Sequence, residues 1–174
     1  MKSIATIKEF RGKYRFLSNF WFVRVLLDGV EYPSVEHAYQ AAKSTDPIER
    51  QRVRAQGNPG QAKREGNHLS LRLDWNEVKE SVMLDLLRQK FAQEPLRSML
   101  LATGDDILQE GNYWGDIYWG VSPAGSTRGR NRLGVLLMQV RKELKLDTIC
   151  TTGNEARKAQ RKQELDKHTQ GGVK

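Results

Sequence analysis

The chain has 174 residues, a net charge of +8, one cysteine, and 38 % hydrophobic residues that include four Trp, five Tyr and five Phe. That length and apolar content fit one packed core and exclude a disordered chain, while the lone Cys150 excludes an internal disulfide and a cysteine-based zinc site. No apolar run approaches the roughly 18 residues of a membrane span and the start MKSIATIKEF lacks a signal-peptide stretch, so a cytoplasmic protein without membrane contact is expected. The basic charge asks for an anionic partner, either a phosphate-bearing small molecule or nucleic acid.

Along the chain, residues 7–32 read as β-rich. Val23, Val25, Leu27 and Val30 flank Asp28-Gly29, a pair that tolerates positive φ, and so predict a short hairpin. Pro33-Ser34 ends its second strand, and Ser34 caps a helix beginning VEHAYQAAK, with Glu36 in the first turn. Further helix starts stand at Asp46-Pro47, Asn58-Pro59 and Asp74-Trp75, each with a capping residue, the first two with proline at the first helical position. Trp75, Val78, Val82, Leu86 and Phe91 recur near a helical period and predict an amphipathic core helix over Trp75–Phe91. A short helix follows over Pro95–Leu101, stopped near Gly104, and then a brief strand at Ile107-Leu108. Residues 111–130 form a loop rich in glycine, with two Trp and two Tyr, too aromatic for an ordinary solvated linker. From Leu133 a helix of about three turns resumes through Leu136, Leu137, Val140 and Leu144. The folded domain is therefore placed at 1–147, and the polar stretch 148–174 is read as a frayed or isolated helical tail.

Three groups of residues can carry chemistry. Spacings of four and seven put Glu36, Gln40 and Lys43 on one helix face, where a carboxyl can move protons and a desolvated amine can attack a sugar carbon. A solvated surface helix with a first-turn Glu explains the same spacing. The second group is the loop Asn112-Tyr113-Trp114-Gly115-Asp116 with Gly129-Arg130-Asn131-Arg132-Leu133-Gly134 at the next helix start: aromatics that stack on bases, and arginines at a helix N-terminus that favours phosphate. Trp114 and Trp119 pinning a long loop to the core is the plainer alternative. The third is Phe16-Leu17-Ser18-Asn19-Phe20-Trp21, where Ser and Asn offer hydrogen bonds to an amide-bearing base, or simply bend a core strand. His37 and His68 lack partner ligands, so neither is a metal candidate.

Taken together, Phe16-Leu-Ser-Asn-Phe20, Tyr32-Pro-Ser-Val-Glu-His37, Tyr39-Gln-Ala-Ala-Lys43, Asp74-Trp75 with Val78-Lys79, Lys90-Phe91, Leu100-Leu-Ala-Thr103, Tyr113-Trp-Gly-Asp116 and Gly129-Arg-Asn-Arg-Leu-Gly134 resemble the YbiA-like, or NADAR, family of N-glycosidases. The resemblance spans about residues 8–146. It implies a mostly helical α+β single domain with a short N-terminal hairpin or small sheet, and hydrolysis of a C–N bond to a phosphorylated ribose without metal or cofactor. It carries catalytic roles to Glu36, Lys43 and Asp116. Substrate binding falls to Phe16, Ser18, Asn19, Phe20, His37 and Gln40 in the first half of the chain, and to Trp75, Tyr113, Trp114, Gly115, Arg130, Asn131 and Arg132 in the second. Among these, Asn19, Trp75, Trp114 and Asn131 would hold the base and Arg130 or Arg132 the phosphate. Family substrates are ribosylaminopyrimidine phosphates of riboflavin biosynthesis, or ADP-ribose on guanine in DNA or RNA, so nucleic acid is a possible partner; a non-catalytic ADP-ribose or nucleotide module is the other alternative. The segment Ile117–Arg128, with its extra Tyr118 and Trp119, departs from the pattern and is expected to help shape the pocket.

Overall fold

A computed structural model describes residues 4–149 of the chain. The tail expected beyond Asp147 lies, from residue 150 on, outside the described residues.

The hairpin forms where the sequence places it: β2 (Phe22–Leu27) pairs antiparallel with β3 (Val30–Ser34). Asp28 and Gly29 turn it with φ of 50° and 77°, the left-handed pair that matches strand twist. A two-residue strand β1 (Thr6–Ile7) pairs in parallel with β4 (Ile107–Leu108), tying the start of the fold to the segment that enters the aromatic loop. Between β1 and β2 the structure corrects the β-rich reading, because Gly12–Leu17 is a 3-10 helix entered through Gly12 at φ 53°. Phe16 and Leu17, taken for strand positions, are instead the buried face of that turn.

Six α-helices follow, the last running over 132–149 within the described residues, longer than the three turns expected. Helix α1 (Val35–Ala41) is capped by Ser34, whose side chain accepts the His37 N–H. Asp46 and Asn58 cap α2 (Pro47–Arg54) and α3 (Pro59–Glu65) in the same way. Asp74 does not cap α4 (Trp75–Phe91); it pairs with Arg72 through both oxygens, at 2.6 and 2.9 Å. Helix α5 (Leu96–Ala102) and a left-handed Gly104 lead into β4. Among the described residues no helix is long and apolar enough to cross a membrane.

The packing centres on α1, which touches α2, α3, α4 and both hairpin strands. All seven of its residues are buried. A helix enclosed on every side is normally apolar, yet this one carries Glu36, His37 and Gln40 inward, so each needs a partner or a purpose. The fold is α+β and mostly helical.

Candidate active site

Beside α1 opens a cavity of about 570 Å³, within the range of small-molecule sites. Its walls come from six places in the sequence: the turn at 10–20, α1 with Lys43 just past it, α3 and the residues after it, the first half of α4, the loop 110–119, and Leu133 of the last helix.

Glu36 and Gln40 stand one helical turn apart in the wall, 6 % and 4 % exposed. Gln40 Nε2 donates to Glu36 Oε1 at 2.8 Å. Burial raises the Glu36 carboxyl above its ordinary range, with the Gln40 amide, Lys63 and Lys43 pulling partly back. Lys43 lies beyond the helix, which ends at Ala41 instead of continuing through it. The last turn tightens, with Lys43 N–H donating to Gln40 O, and the side chain still lines the cavity while Nζ donates to Gly66 O at 3.3 Å. Burial pushes the Lys43 ammonium down; Glu36 opposes this and Lys63 adds to it. The cation assisting the shift is thus Lys63.

An aromatic wall faces this pair. Tyr39 sits 5.1 Å from Trp75 and 5.5 Å from Trp119, which meets Tyr118 edge-on at 5.2 Å. Lys79 Nζ lies 4.2 Å from the Tyr118 ring centre. Asp116 builds the loop that presents these rings: its Oδ1 accepts the Tyr118 and Trp119 N–H groups at 3.0 and 2.9 Å. Asn112 clamps it in turn, donating to Asp116 O at 2.7 Å and accepting Asp116 N–H at 3.0 Å. Trp114 stands at the mouth, 61 % exposed, with Lys63 Nζ 5.8 Å from its ring.

The cavity also collects polar atoms that the fold leaves unpaired. Four buried side-chain atoms among the described residues have no hydrogen-bond partner, and three of them, Asn19 Oδ1, Gln40 Oε1 and Glu110 Oε2, belong to cavity residues. Since native proteins rarely strand such atoms, their clustering marks where a ligand completes the bonding. Burial, then Asp116 and Glu36, push the Glu110 carboxyl up to about 7, with Lys63 and Arg11 opposing. Five cations, Arg11, Arg15, Lys43, Lys63 and Lys79, share the walls with three carboxyl groups, which suits an anionic ligand.

Of the residues singled out by sequence, Ser18, Asn19, Phe20, Glu36, Gln40, Lys43, Trp75, Trp114 and Asp116 line this one cavity. The others do not. Phe16 packs edge-on against Phe91 in the core. His37 is fully buried behind α1, with Nδ1 on Ser34 Oγ at 2.8 Å and Nε2 on Gln56 O at 3.1 Å, leaving neither nitrogen for substrate. Tyr113 points out and donates to Glu9 at 3.0 Å, and Gly115 is a left-handed turn position. Arg132 is held by Glu80 in a two-pronged ion pair, Nε to Oε1 at 2.8 Å. Arg130 covers the Tyr118 ring from outside the cavity, 5.4 Å away. Asn131 turns its amide onto backbone, accepting Glu110 N–H and donating to Leu108 O. The sequence reading missed Arg15, Lys63 and Glu110; Tyr118 and Trp119, expected only to help shape the pocket, stand in its wall with Trp75 and Trp114. The signal for Glu110 was a lone acid between a short strand and a glycine, too common to be informative. Among the described residues no group of three His, Cys, Asp or Glu is placed to hold a metal ion.

Comparison with known proteins places the chain in a family. A family model described as the NADAR domain matches residues 7–145. The chain is 41 % identical over 137 residues to N-glycosidase YbiA of Escherichia coli, covering 77 % of this chain and 84 % of that protein. It is 34 % identical over 146 residues to an N-glycosidase of Nostoc punctiforme, covering 80 % and 91 %. A riboflavin biosynthesis protein of Vibrio vulnificus is 39 % identical over 132 residues, covering 74 % of this chain but 35 % of that protein. The solution structure of E. coli YbiA superposes with a TM-score of 0.73 at 38 % identity, over 85 % of this chain and 90 % of that one. With the family model spanning nearly all the described residues and the same fold in a solved relative, the chain belongs to the NADAR family and is an enzyme, a hydrolase of the N-glycosidase class.

Proposed function

We propose that this N-glycosidase cleaves the bond between C1′ of a 5′-phosphorylated ribose and the nitrogen of a base, with a ribosylaminopyrimidine phosphate as its substrate. The observation that carries the reading is the pairing of buried Glu36 with Lys43, an amine held below its ordinary pKa, in a cavity walled by Tyr39, Trp75 and Trp119. Stacked rings suit a pyrimidine and the unpaired amide oxygens of Asn19 and Gln40 suit its N–H groups. The riboflavin name of the Vibrio relative supports the choice of base.

Lys43 Nζ attacks C1′, the C1′–N bond breaks with its electron pair on the departing nitrogen, and the lysine adduct opens to a Schiff base that water hydrolyses. Glu36 takes the proton released from Nζ on attack and returns it to the ring oxygen on opening. The competing chemistry sets Glu36 or Asp116 to direct water onto an oxocarbenium-like C1′. Borohydride added during turnover is expected to trap a covalent sugar adduct on Lys43, seen by mass spectrometry, and Lys43→Arg is expected to abolish both adduct and turnover. No adduct together with near-normal turnover in Lys43→Arg would establish direct displacement by water.

For the phosphate, Arg15 and Lys63 replace Arg130 and Arg132. Arg15 lines the cavity and its guanidinium makes no hydrogen bond or ion pair among the described residues; nor does Lys63 Nζ, which lies over the Trp114 ring. Charge-assisted hydrogen bonds contribute about 1.5–3 kcal/mol each. Arg15→Ala is therefore expected to raise KM about tenfold or more for the phosphorylated riboside and far less for its dephosphorylated form; equal effects on the two remove Arg15 from this role.

One feature favours a second reading, release of ADP-ribose from guanine in nucleic acid. A groove formed by Trp21, Phe22, Asn58, Pro59 and Gly60 adjoins the cavity and shares Arg15 and Phe20 with it, a combination that suits a further nucleotide. Incubation with a ribosylaminouracil phosphate, with NAD and with ADP-ribosylated DNA, scored for released ribose phosphate, nicotinamide and intact guanine, separates the readings.

A further inference from the structure

The asparagine and glycines around the last motif converge on one short stretch of backbone. Asn131, at φ 48°, accepts the Glu110 N–H on Oδ1 at 3.0 Å and donates from Nδ2 to Leu108 O at 2.8 Å, so its side chain serves as the edge partner of residues 108–110. From the other side Val121 N–H donates to Glu110 O at 2.9 Å. That contact requires Gly120, where a Cβ would lie 2.1 Å from Glu110 O, and the Asn131 contact requires Gly134, where a Cβ would lie 2.1 Å from Leu108 O and 2.5 Å from Asn131 Nδ2. Of residues 108–110, only Glu110 reaches the cavity. Its carboxyl makes no hydrogen bond or ion pair among the described residues, and Oε2 is buried without a partner. A carboxyl mounted this firmly, in a ligand cavity and unpaired by protein, is completed by the ligand.

We propose that Glu110 is the acid that protonates the departing base nitrogen and that Asn131 is the positioning residue that holds it there. This rests on the reaction proposed above, in which Glu36 serves Lys43 and the leaving group still needs a proton. As Nζ bonds to C1′ and the C1′–N bond breaks, the nitrogen keeps the electron pair and takes the Glu110 proton, leaving a neutral amine and a Glu110 carboxylate. Hydrolysis of the Schiff base returns Lys43 as an ammonium, one proton richer than the amine that attacked. That proton goes back to Glu110, and the cycle closes with water as the only co-reactant.

The charged groups facing Glu110 are Asp116 from the loop, Glu36 from α1, Lys63 from α3 and Arg11 from the N-terminal turn, and Glu110 acts in turn on Lys90 of α4. Burial and the two neighbouring carboxyls keep the proton on Glu110 up to about pH 7. A carboxyl bonded to nothing in the protein can be exchanged for its amide without losing a contact, so Glu110→Gln is expected to fold.

The test uses the full chain with a ribosylaminouracil 5′-phosphate. Glu110→Gln is expected to lower kcat by about a hundredfold or more, with KM within about threefold, and to remove the alkaline fall in kcat/KM above about pH 7. Asn131→Ala is expected to lower kcat about tenfold and to move that alkaline limb to lower pH, because a freed Glu110 side chain reaches solvent. An amide that keeps kcat within threefold, or that keeps the alkaline limb, overturns the proposal for Glu110; an unmoved limb in Asn131→Ala overturns the role of Asn131. A second arm needs no turnover. Relative to Glu110→Gln, the unsubstituted protein is expected to lose urea stability as pH rises from 5 to 8, because the folded state keeps a proton there that the unfolded state has released. Parallel stability curves overturn the acid assignment even if the substrate is wrong, whereas diverging curves with no cleavage of the riboside by the unsubstituted protein overturn the substrate reading alone.

Discussion

Glu36→Gln is expected to lower kcat by about two to four orders of magnitude, the usual contribution of a positioned proton-transfer group, while the protein stays folded. The amide fills the same space in α1 and can still bond the neighbouring amide of Gln40, which now donates to Glu36 Oε1 at 2.8 Å. No buried ion pair is broken, because Glu36 makes none among the described residues, and removing an ionisable group from a fully enclosed position costs the fold nothing in desolvation. The loss therefore appears in kcat and not in the melting temperature. Single-turnover measurements locate it further: borohydride trapping of the Lys43 adduct should fall with kcat, because the attacking amine has lost the group that accepts its proton. A variant that turns over within tenfold of the unsubstituted protein removes Glu36 from the chemistry.

The second large effect concerns stability and comes from Lys90. This side chain is completely buried in α4, donates to Ser18 O at 2.7 Å, and lies 5.1 Å from the Phe91 ring centre. Burial pushes its ammonium down to about 7, with Glu110 acting in the opposite direction. Between about pH 7 and the ordinary lysine value the unfolded chain holds a proton that the folded protein has released, so stability rises with pH across that window and falls as pH drops through it. Lys90→Met removes this dependence. Relative to the unsubstituted protein, the Met variant is expected to gain about 2 kcal/mol between pH 9 and pH 7, given about 1.36 kcal/mol per pH unit for one proton. Urea denaturation at the two pH values measures this, and a constant difference between the proteins excludes a lowered Lys90. The same substitution releases Ser18 O and loosens the turn that carries Asn19 and Phe20 into the cavity, so KM is expected to rise several-fold even where the variant is the more stable protein. Retention of a costly buried amine is then explained by what it holds in place.

How far the site could be read from the sequence follows from how far apart its parts lie. Ser34, Asp46 and Asn58 each bond a backbone N–H two or three residues away, so their caps are written in the local order of residues. The Asp28-Gly29 turn is equally local. Asp74 looked like the same kind of cap, but Arg72 captures its carboxylate first, and propensity does not report such competition. Arg132 at the start of the last helix looked ready for phosphate; its neutralising partner Glu80 is 52 residues away and visible only once α4 and the last helix meet. Asn131 looked like a ligand contact for the same reason, until its amide was found on the backbone of residues 108 and 110.

By itself the sequence determined a basic, mostly helical α+β domain, a polar helix face joining Glu36, Gln40 and Lys43, and the aromatic loop that follows; that the helix stops at Ala41, short of Lys43, came from the structure. These are short-range patterns, or family motifs long enough to stand without a fold. Only the tertiary structure decided which residues share the cavity. Pairing β1 with β4 brings residues 6–7 beside 107–108, and the segments adjoining them, together with α3, bring Arg15, Glu110 and Lys63 into the cavity that Lys43 lines. The physical reason is burial: desolvation raises Glu36 and Glu110 and lowers Lys43 and Lys90, and a group's distance from water is set by the whole chain's packing and not by its neighbours in sequence.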